Sequence, residues 1–252
     1  MPKLTVTVIT LNEADRIEAC LESVAWADEL IVVDSGSTDG TPNLARNRRA
    51  RVIVRDWPGY SAQKNFAAGE AANDWILSLD ADERVTPHLA EEIRRTLSAE
   101  PAAAGFRVPR VTWHLGRWIR TTDWYPDFQL RLYNRRRARW AERRVHESVT
   151  ADGAVEHLRH DLEHYAYRDI AHHHRTMERY TMLAAEEMQE AGRTAGAFDL
   201  VVHPFAAFIR NYILRAGVLD GLPGFTVSIM NSYYVFLKFA RLRELGRRRT
   251  TK

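Results

Sequence analysis

The stretch from residue 75 to residue 83 constrains the fold of this chain more than any other part of the sequence. Its first part, residues 75–79, is a short apolar run that is typical of a strand buried on both faces of a parallel sheet. The run ends in Asp80 and Asp82, which places two carboxylates at the carboxyl end of the strand. Open α/β sheets bind their ligands at that edge, so this stretch predicts a site as well as a sheet.

A competing explanation for Asp80 and Asp82 is that they begin a helix, because acidic residues favour the first turn. The next helix has its own start signal, since Thr86 suits the N-cap and Pro87 suits the first position. The two carboxylates are therefore not needed as caps. They are hard oxygen ligands suited to Mg²⁺ or Mn²⁺, and proteins often bind Mg²⁺ with one or two carboxylates and the phosphates of a substrate.

Three further strands precede this stretch and alternate with helices. The patterns predict strands at 4–10, 29–34 and 51–55, and helices at 14–24 and 62–72. Strands and helices that alternate with short connections form a right-handed parallel sheet covered by helices on both faces. The predicted fold class is therefore α/β.

Polar residues stand where several of these strands end. Thr10, Asn12 and Glu13 follow the first strand, Asp34 ends the second, and Lys64 lies on a helix beside them. Their convergence with the acidic pair at one sheet edge suggests a nucleotide pocket.

Two glycine motifs are missing from the sequence. It has neither the G-x-G-x-x-G dinucleotide fingerprint nor a P-loop, so no usual nest of backbone amides holds phosphates. A metal held by carboxylates is the natural substitute, which favours a nucleoside-diphosphate substrate bound through Mg²⁺ or Mn²⁺.

Composition limits the class of protein. A chain of 252 residues that is 45% hydrophobic can bury one large core and perhaps an appended subdomain. A single cysteine, Cys20, excludes a disulfide framework and fits a reducing compartment. We expect no signal peptide and no spanning helix, because the first strand begins at once and no run of about 18 uncharged apolar residues occurs. A cytoplasmic protein is expected.

The net charge of +3 is unevenly distributed. Residues 201–252 contain nine basic and two acidic residues, and the aromatic-rich segment 204–240 is interrupted by glycine and proline. That segment predicts two short amphipathic helices, and the basic residues after it predict contact with an anionic membrane surface. We therefore expect a catalytic domain at 1–170 and a helical extension at 171–252 with a membrane-facing end.

Four motifs carry a resemblance to a known family: Thr10-Leu-Asn-Glu13, Val33-Asp34-Ser-Gly-Ser-Thr-Asp39-Gly-Thr41, Gln63-Lys-Asn65 and Asp74-Trp-Ile-Leu-Ser-Leu-Asp-Ala-Asp-Glu83. Together they resemble family-2 inverting glycosyltransferases of the GT-A fold over about the first hundred residues. The resemblance implies a Rossmann-like, mostly parallel sheet. It also implies that Asp34 contacts the nucleoside base, and that Asp80 and Asp82 contact the ribose and the metal-bound diphosphate.

The second half is similar to the branch that contains the lipopolysaccharide inner-core β-glucosyltransferases. The motifs for this are Gly105-Phe-Arg-Val-Pro-Arg110, Gly116-Arg-Trp-Ile-Arg120, Trp124-Tyr-Pro-Asp127, Arg131-Leu-Tyr133, His146-Glu147, His164-Tyr165 and Gly217-Val-Leu-Asp-Gly221. The branch implies that the donor is a UDP-sugar, with UDP-glucose as the first choice, and that the acceptor is a glycolipid of the lipopolysaccharide core. It also implies that the enzyme reaches this acceptor from the inner face of the cell membrane. A peptide acceptor stays open, because peptide-modifying relatives share the acidic centre.

An inverting transfer needs one base to take the proton of the acceptor hydroxyl. Asp127 and Glu147 are the two candidates, with a turn residue and an ion-pair partner as the competing structural roles. His146 or His164 is expected to complete the metal shell, as a C-terminal histidine does in several GT-A enzymes. A hydrogen-bonded structural histidine is the alternative.

Three other groups of residues have simpler interpretations. The histidines 172–174 precede a predicted amphipathic helix and are expected on a solvated face. Two of Trp113, Trp118 and Trp124 are expected in the core. Seven arginines form a basic patch that suits a phosphorylated glycolipid, and no nucleic-acid-binding module accompanies them. These are Arg131, Arg135, Arg136, Arg137, Arg139, Arg143 and Arg144.

Two other classes of protein stay open on sequence alone. A nucleotidyltransferase shares the sheet and an acidic metal site, but it carries a glycine-rich basic first loop that residues 11–13 lack. A non-catalytic glycan-binding protein has the sugar cleft without the turnover.

Overall fold

A computed structural model describes residues 2–141 and 148–250, with side chains described as far as residue 247. The strands in this part of the chain are β1 (Leu4–Thr10), β2 (Glu29–Asp34), β3 (Arg51–Val54), β4 (Trp75–Asp80), β5 (Glu83–Val85), β6 (Gly105–His114), β7 (Arg117–Ile119), β8 (Asp127–Asn134), β9 (Ala138–Trp140), β10 (Val149–Ala151), β11 (Val155–His157) and β12 (Leu162–His164). The α-helices are α1 (Ile17–Ser23), α2 (Thr41–Asn47), α3 (Tyr60–Gly69), α4 (Pro87–Ser98), α5 (Ile170–Glu190), α6 (Ala197–Ile209) and α7 (Gly221–Thr250).

The chain folds into two compact units that are interleaved in sequence. The first contains Met1–Arg110 and Asp127–His164, and the second contains Val111–Pro126 and Tyr165–Lys252. The second unit thus includes residues 111–126, which precede β8, in addition to the C-terminal helices. The predicted division at residue 170 assigned these residues to the catalytic domain. The functional division into 1–170 and 171–252 stays a prediction.

The sheet of the first unit has the strand order β3-β2-β1-β4-β8-β6-β12-β5, and β11 pairs with β6. The first four strands are parallel, whereas β8 is antiparallel to both β4 and β6. Parallel strands covered on both faces need apolar side chains on both faces, and all of β1 is buried. Leu77 and Leu79 lie in the core beneath α1 and α4, while Ile76 points into the core that includes α3. The predicted α/β sheet with helices is confirmed.

Local signals set the ends of the elements. The hydroxyl of Thr86 accepts a hydrogen bond of 3.2 Å from the amide of Leu89, so it caps α4 as predicted. The first two strands have the predicted bounds, whereas the helices predicted at 14–24 and 62–72 cover 17–23 and 60–69. Helix ends depend on capping contacts that a periodic pattern does not encode.

In the second unit, β7 pairs with the end of β6, and both α5 and α6 pack on α7. Two helices with a break between them occur where the sequence predicted two short ones in residues 204–240, but α6 begins earlier and α7 is much longer than predicted. The chain forms α6, a π-turn at Arg210–Leu214, a 3₁₀ turn at Gly217–Asp220 and the 30-residue α7. Pro223 lies in the first turn of α7, where proline needs no hydrogen-bonded amide, so it begins the long helix and does not interrupt it.

In the described part of the chain, no single helix has both the length and the apolar composition to cross a membrane. Ala197–Leu214 and Gly217–Arg247 meet these criteria only as a pair, and the pair is bent by 70°.

The histidines at 172–174 lie inside α5, because Asp169 caps the helix by accepting from the amide of His172. The prediction that all three are solvated is wrong for His173, which is 2% exposed. It stacks on Tyr167 and meets His114 and Trp124 edge-on or tilted. The pKa of His173 is lowered to about 4, mainly by burial and in smaller part by the charges of the neighbouring histidines.

Candidate active site

The carboxyl ends of three neighbouring parallel strands bring the predicted nucleotide-binding residues together. In the sheet register, Thr10 on β1 lies beside Asp34 on β2, and Ile9 lies beside Asp80 on β4. Three polar groups that are far apart in sequence therefore share one edge of the first unit. This edge is where open α/β sheets bind ligands.

Asp80 is held between two buried cations. Its two carboxylate oxygens lie 2.9 Å from Nζ of Lys64 and 2.5 Å from Nη2 of Arg131, and both cationic side chains are almost fully buried. Burial alone raises the pKa of the Asp80 carboxyl, but the charges of Arg131 and Lys64 outweigh it and hold the pKa well below its usual value. Asp80 is therefore ionised and fixed in orientation.

Glu83 is a second buried carboxylate, which the sequence pattern did not identify as functional. Its side chain is fully buried and lies 2.6 Å from Nη2 of Arg131 and 3.0 Å from Nη1 of Arg110. It also accepts a hydrogen bond of 3.0 Å from the amide of Asp80. Glu83 thus connects the acidic turn to two arginines. The signal available in the sequence was its position three residues after Asp80 in a turn rich in acids.

Of the two candidate bases, Asp127 lies in the part of the chain that the structure describes. Nε and Nη2 of Arg110 both donate to its Oδ2, at 2.9 and 2.6 Å, and the side-chain amide of Gln129 donates to its Oδ1 at 2.6 Å. These residues meet because β6 and β8 are antiparallel and place Arg110 opposite Asp127. The other candidate, Glu147, and the nearby His146 lie outside the described residues.

Asp82 and His164 form the candidate metal pair. Oδ2 of Asp82 lies 3.5 Å from Nε2 of His164 and 3.5 Å from Nη1 of Arg16. Burial raises the pKa of the Asp82 carboxyl, but the hydrogen bond and charge of His164 oppose it and leave the pKa below its usual value. The pair forms because β12 and β5 are antiparallel, with His164 opposite Glu83.

A carboxylate and an imidazole within 3.5 Å of each other suit one small divalent cation, whose neighbouring ligands are about 3 to 4 Å apart. Within residues 2–141 and 148–250, no three His, Cys, Asp or Glu side chains gather closely enough to hold a metal by themselves. The oxygens of Asp80 face Lys64 and Arg131 instead. This donor set fits a cation that takes its remaining ligands from a substrate.

Asp34, which is 1% exposed, organises the loop that follows β2. Its carboxylate accepts from the amides of Gly36 and Ser37 at 2.9 and 2.8 Å, and from the hydroxyl of Ser37 at 2.5 Å. These contacts fix the carboxylate at the sheet edge.

Asn12 ties the first loop to the second. Its side-chain oxygen accepts from the amide of Thr38 at 2.9 Å, and the amide of Glu13 donates to the hydroxyl of Thr41 at 3.0 Å. The hydroxyl of Thr10 is buried and has no hydrogen-bond partner among the described residues. The predicted residues of the first two loops therefore lie together at this sheet edge.

Comparison with known proteins decides the family. The family model described as Glycosyl transferase family 2 matches residues 5–153. This chain belongs to glycosyltransferase family 2. It is 30% identical over 251 residues to the lipopolysaccharide core biosynthesis glycosyltransferase LpsC of Rhizobium meliloti, covering 96% of this chain and 93% of that protein. It is also 30% identical to an uncharacterised glycosyltransferase of Rickettsia typhi, covering 98% of this chain and 88% of that protein.

A solved structure supports the fold. The mannosyltransferase PcManGT from Pyrobaculum calidifontis, in complex with GDP-Man and Mn²⁺, superposes with a TM-score of 0.59. It is 18% identical, and the match covers 96% of this chain and 87% of that one, so it shows the fold alone. The predicted GT-A fold with a C-terminal helical stretch is confirmed.

The predicted basic patch of this glycosyltransferase differs from the prediction in two ways. One of its arginines is buried, and three others have partners within the chain. Arg131 is 3% exposed and belongs to the acidic centre. Arg135 and Arg136 both approach Asp74, and Arg137 donates to the carbonyl of Ala102 at 2.6 Å. Arg143 and Arg144 lie outside the described residues. These contacts leave less free positive charge than the sequence suggested.

The tryptophans 113, 118 and 124 are each partly exposed, so the prediction that two of them lie in the core is wrong. Trp113 and Trp118 pack edge to face in the second unit, with ring centres 5.1 Å apart. Trp118 also packs edge to face on Tyr165, with ring centres 5.3 Å apart.

Proposed function

We propose that this glycosyltransferase moves a hexose, most simply glucose, from a UDP-sugar to a lipopolysaccharide-core glycolipid, with inversion and with Mg²⁺ or Mn²⁺. The observation that carries the proposal is the pairing of Asp82 with His164 beside an ionised Asp80 at the sheet edge. The name of the Rhizobium meliloti relative supports the acceptor class, and the Pyrobaculum calidifontis enzyme supports a nucleotide sugar with Mn²⁺.

Asp82 and His164 are the residues that would hold the cation, with Asp80 nearby as a further carboxylate. When bound, the cation supplies positive charge that stabilises a leaving nucleoside diphosphate. The chain itself brings Lys64 and Arg131 to the same edge, where each faces one oxygen of Asp80. Lys64 and Arg131 keep the Asp80 carboxylate ionised and fixed in direction. A carboxylate held in this way suits a role in accepting hydrogen bonds from the hydroxyls of a ribose. Thr10, Asn12, Glu13 and Asp34 form the nucleoside side of the pocket.

Asp127 takes the proton of the acceptor hydroxyl in this proposal. A carboxylate offers about four lone-pair sites, and Arg110 and Gln129 use three of them. Among the described residues, nothing else occupies the second lone pair of Oδ1, which can accept from a sugar hydroxyl. Arg110 therefore orients the carboxylate without blocking it, and its own contact with Glu83 fixes that orientation. Glu147 is the alternative base.

The acceptor places the enzyme at the inner face of the cell membrane, as a cytoplasmic protein bound to an anionic surface. A peptide acceptor is the second candidate for the same chemistry. Family membership argues against a nucleotidyltransferase or an idle glycan-binding protein.

The test is a screen of UDP- and GDP-sugars for slow hydrolysis of the donor, with Mn²⁺ and with a chelator. We expect hydrolysis of one UDP-hexose that disappears on chelation and returns with the metal. Transfer is then measured with lipopolysaccharide-core glycolipid and with peptide as acceptors. Release of sugar from no donor, or a rate that chelation leaves unchanged, would contradict the proposal.

A further inference from the structure

The connection between α6 and α7 exposes large apolar side chains in an unusual concentration. Leu214 is 75% exposed, Leu219 is 70% exposed and Leu222 is 81% exposed, and Ile213 and Val218 are about half exposed. We name residues 213–222 the apolar tip. Connections between helices in soluble proteins are usually polar, so a group of exposed leucines in one short segment indicates a binding surface.

The outer side of α6 extends this surface. Phe198, Val201 and Phe205 are each 67% exposed, and they recur at spacings of three and four residues. Residues at these spacings share one face of a helix. α6 packs on α7, so the exposed face is the one that α7 leaves uncovered.

The carboxylate of Asp220 points inward and holds the apolar tip in place. Asp220 is 4% exposed and accepts from the amide of Arg120 at 3.0 Å and the hydroxyl of Thr121 at 2.6 Å. A Cβ at Gly224 would lie 2.0 Å from the carbonyl oxygen of Gly217, so the backbone is in close contact there. The apolar tip is thus a built element whose leucines face outward because the polar groups are used inside.

Arginines surround the apolar tip. Arg210, Arg215 and Arg117 are each about half exposed, and they contact Asp123 and Asp220, which leaves one excess positive charge. In a two-fold pair of identical chains the same patch lies on both sides of the interface, so the excess positive charge of one copy would face that of the other. At a bilayer surface they would meet lipid phosphates, for which arginine is well suited. The charges therefore favour a lipid surface over a second copy of the chain.

We infer that the apolar tip and the exposed face of α6 insert into the acyl boundary of a bilayer, with Arg210 and Arg215 at the level of the phosphates. The inference rests on the proposed membrane association and adds its physical mode. A polybasic tail alone gives binding that salt abolishes and that needs anionic lipid. Leucines and phenylalanines that insert into the acyl region of a bilayer give binding that persists in high salt and on neutral lipid. The 70° bend of the two helices suits a segment that enters the bilayer without crossing it.

The first test uses vesicles of phosphatidylcholine alone and of phosphatidylcholine mixed with phosphatidylglycerol. We expect the full chain to cosediment with both and to stay bound in high salt. The double variant Leu219→Glu and Leu222→Glu should lose binding by at least about tenfold, because charges are costly below the headgroups. Val54→Glu changes a residue of the first unit that is 62% exposed and serves as the matched control. Its binding should equal that of the wild type.

The second test reads the environment of one position. Leu222→Cys is labelled with an environment-sensitive fluorophore, and Val54→Cys is the control. Cys20 is fully buried, and burial raises the pKa of its thiol, so it should not react. We expect a blue shift with vesicles at position 222 and none at position 54.

Three results would overturn the inference: complete release of the wild type by salt, equal vesicle binding by the double variant and the control, or no shift at position 222. A wild-type dimer that the double variant converts to monomer, without vesicle binding by either, assigns the surface to a second copy. Hydrolysis of the soluble donor by the double variant is measured in parallel. Normal hydrolysis with lost binding keeps this question separate from the proposed catalysis.

Discussion

The acidic edge of the first unit and the apolar tip of the second unit treat their side chains in opposite ways. At the acidic edge, Asp80 and Glu83 are sequestered with Arg131, Lys64 and Arg110, so each charge has a counter-charge. At the tip, polar groups are paired inside and the leucines face outward. Burying charges is costly, and their pairing here offsets that cost while it fixes the direction of each carboxylate toward a small polar ligand. A large uncovered apolar surface marks a place where a protein binds a partner or a membrane. The first arrangement suits chemistry, and the second suits attachment.

The largest expected effect breaks the acidic edge at its metal position. Asp82→Asn keeps the shape of the side chain but removes the charge beside His164, so turnover of the donor should fall by roughly 10³-fold or more. Far-ultraviolet circular dichroism checks that the fold is kept. Glu91→Gln, an exposed change on α4, is the control and should turn over normally. Near-normal turnover by Asp82→Asn would remove it from the reaction.

Next in size is the change that separates the two base candidates. Asp127→Asn should lower the rate of transfer by roughly 10²–10⁴-fold with little change in the donor Kd, because a base acts on the acceptor. The Kd is measured by calorimetry and the rate by release of the nucleotide. If Glu147→Gln shows this pattern and Asp127→Asn keeps its activity, the base is Glu147.

A stability measurement tests whether the acidic edge depends on its counter-charges. Arg131→Met leaves Asp80 and Glu83 buried without their shared partner, and breaking such a network costs about 3–5 kcal/mol of unfolding free energy. Urea unfolding measures this loss. Arg139→Met removes an exposed arginine from the same part of the chain and should cost less than about 1 kcal/mol. Equal stability of the two variants would mean that the network carries no structural weight.

The second unit should respond to pH through His173. The pKa of this buried histidine is lowered to about 4, so between pH 6.5 and 4 the unfolded chain binds more protons than the folded chain. Stability from this group is therefore complete above pH 6.5 and is lost as pH falls through 4, by up to about 3 kcal/mol.

The variant His173→Phe should remove this part of the pH dependence. His114, Tyr167, His172 and His174 face or flank the same ring and are left unchanged. The free energy of unfolding is measured at pH 7 and pH 5 for both proteins. A drop of the same size in both would show that other groups titrate in this range.

The smallest effect is expected from the basic end of α7. Deleting residues 241–252 is not a clean test, because Leu242 is 1% exposed and belongs to a core with Ala185 and Phe239. Arg248→Gln with Arg249→Gln should weaken binding to anionic vesicles by about 1 kcal/mol per residue and leave binding to neutral vesicles unchanged. A larger loss than that of the Leu219→Glu and Leu222→Glu variant would reverse the ranking of the two modes of attachment.

The sequence anticipated those parts of the fold that depend on local pattern. Apolar runs predicted the bounds of β1 and β2, and parallel strands bring their carboxyl ends to one edge whatever their distance along the chain. This is why Thr10, Asp34 and Asp80 were expected together. Asp82 was expected as a metal ligand from its carboxylate at the strand end, whereas the expectation for His164, which lies 3.5 Å from it, came from the family resemblance.

Contacts that depend on the register of distant strands were not predicted from the sequence. Arg110 meets Asp127 only because β6 and β8 are antiparallel in one register, and a shift of one residue would turn the side chains to the other face. The burial of Arg131 was missed for the same reason. A charged side chain favours the surface unless it has buried partners, and its partners Asp80 and Glu83 come from distant strands. His173 was misplaced because its aromatic neighbours come from other elements of the unit. None of these partners is visible in a local pattern.

The most direct test of the account is the affinity of the wild type and of Asp82→Asn for UDP, measured by calorimetry with Mn²⁺ and with a chelator. GDP serves as the comparison nucleotide. We expect the wild type to bind UDP with Mn²⁺ at least about tenfold more tightly than the wild type with chelator, or Asp82→Asn with or without Mn²⁺, and more tightly than it binds GDP. Equal affinity of both proteins for UDP with and without metal would contradict a metal-dependent nucleotide site at Asp82 and His164.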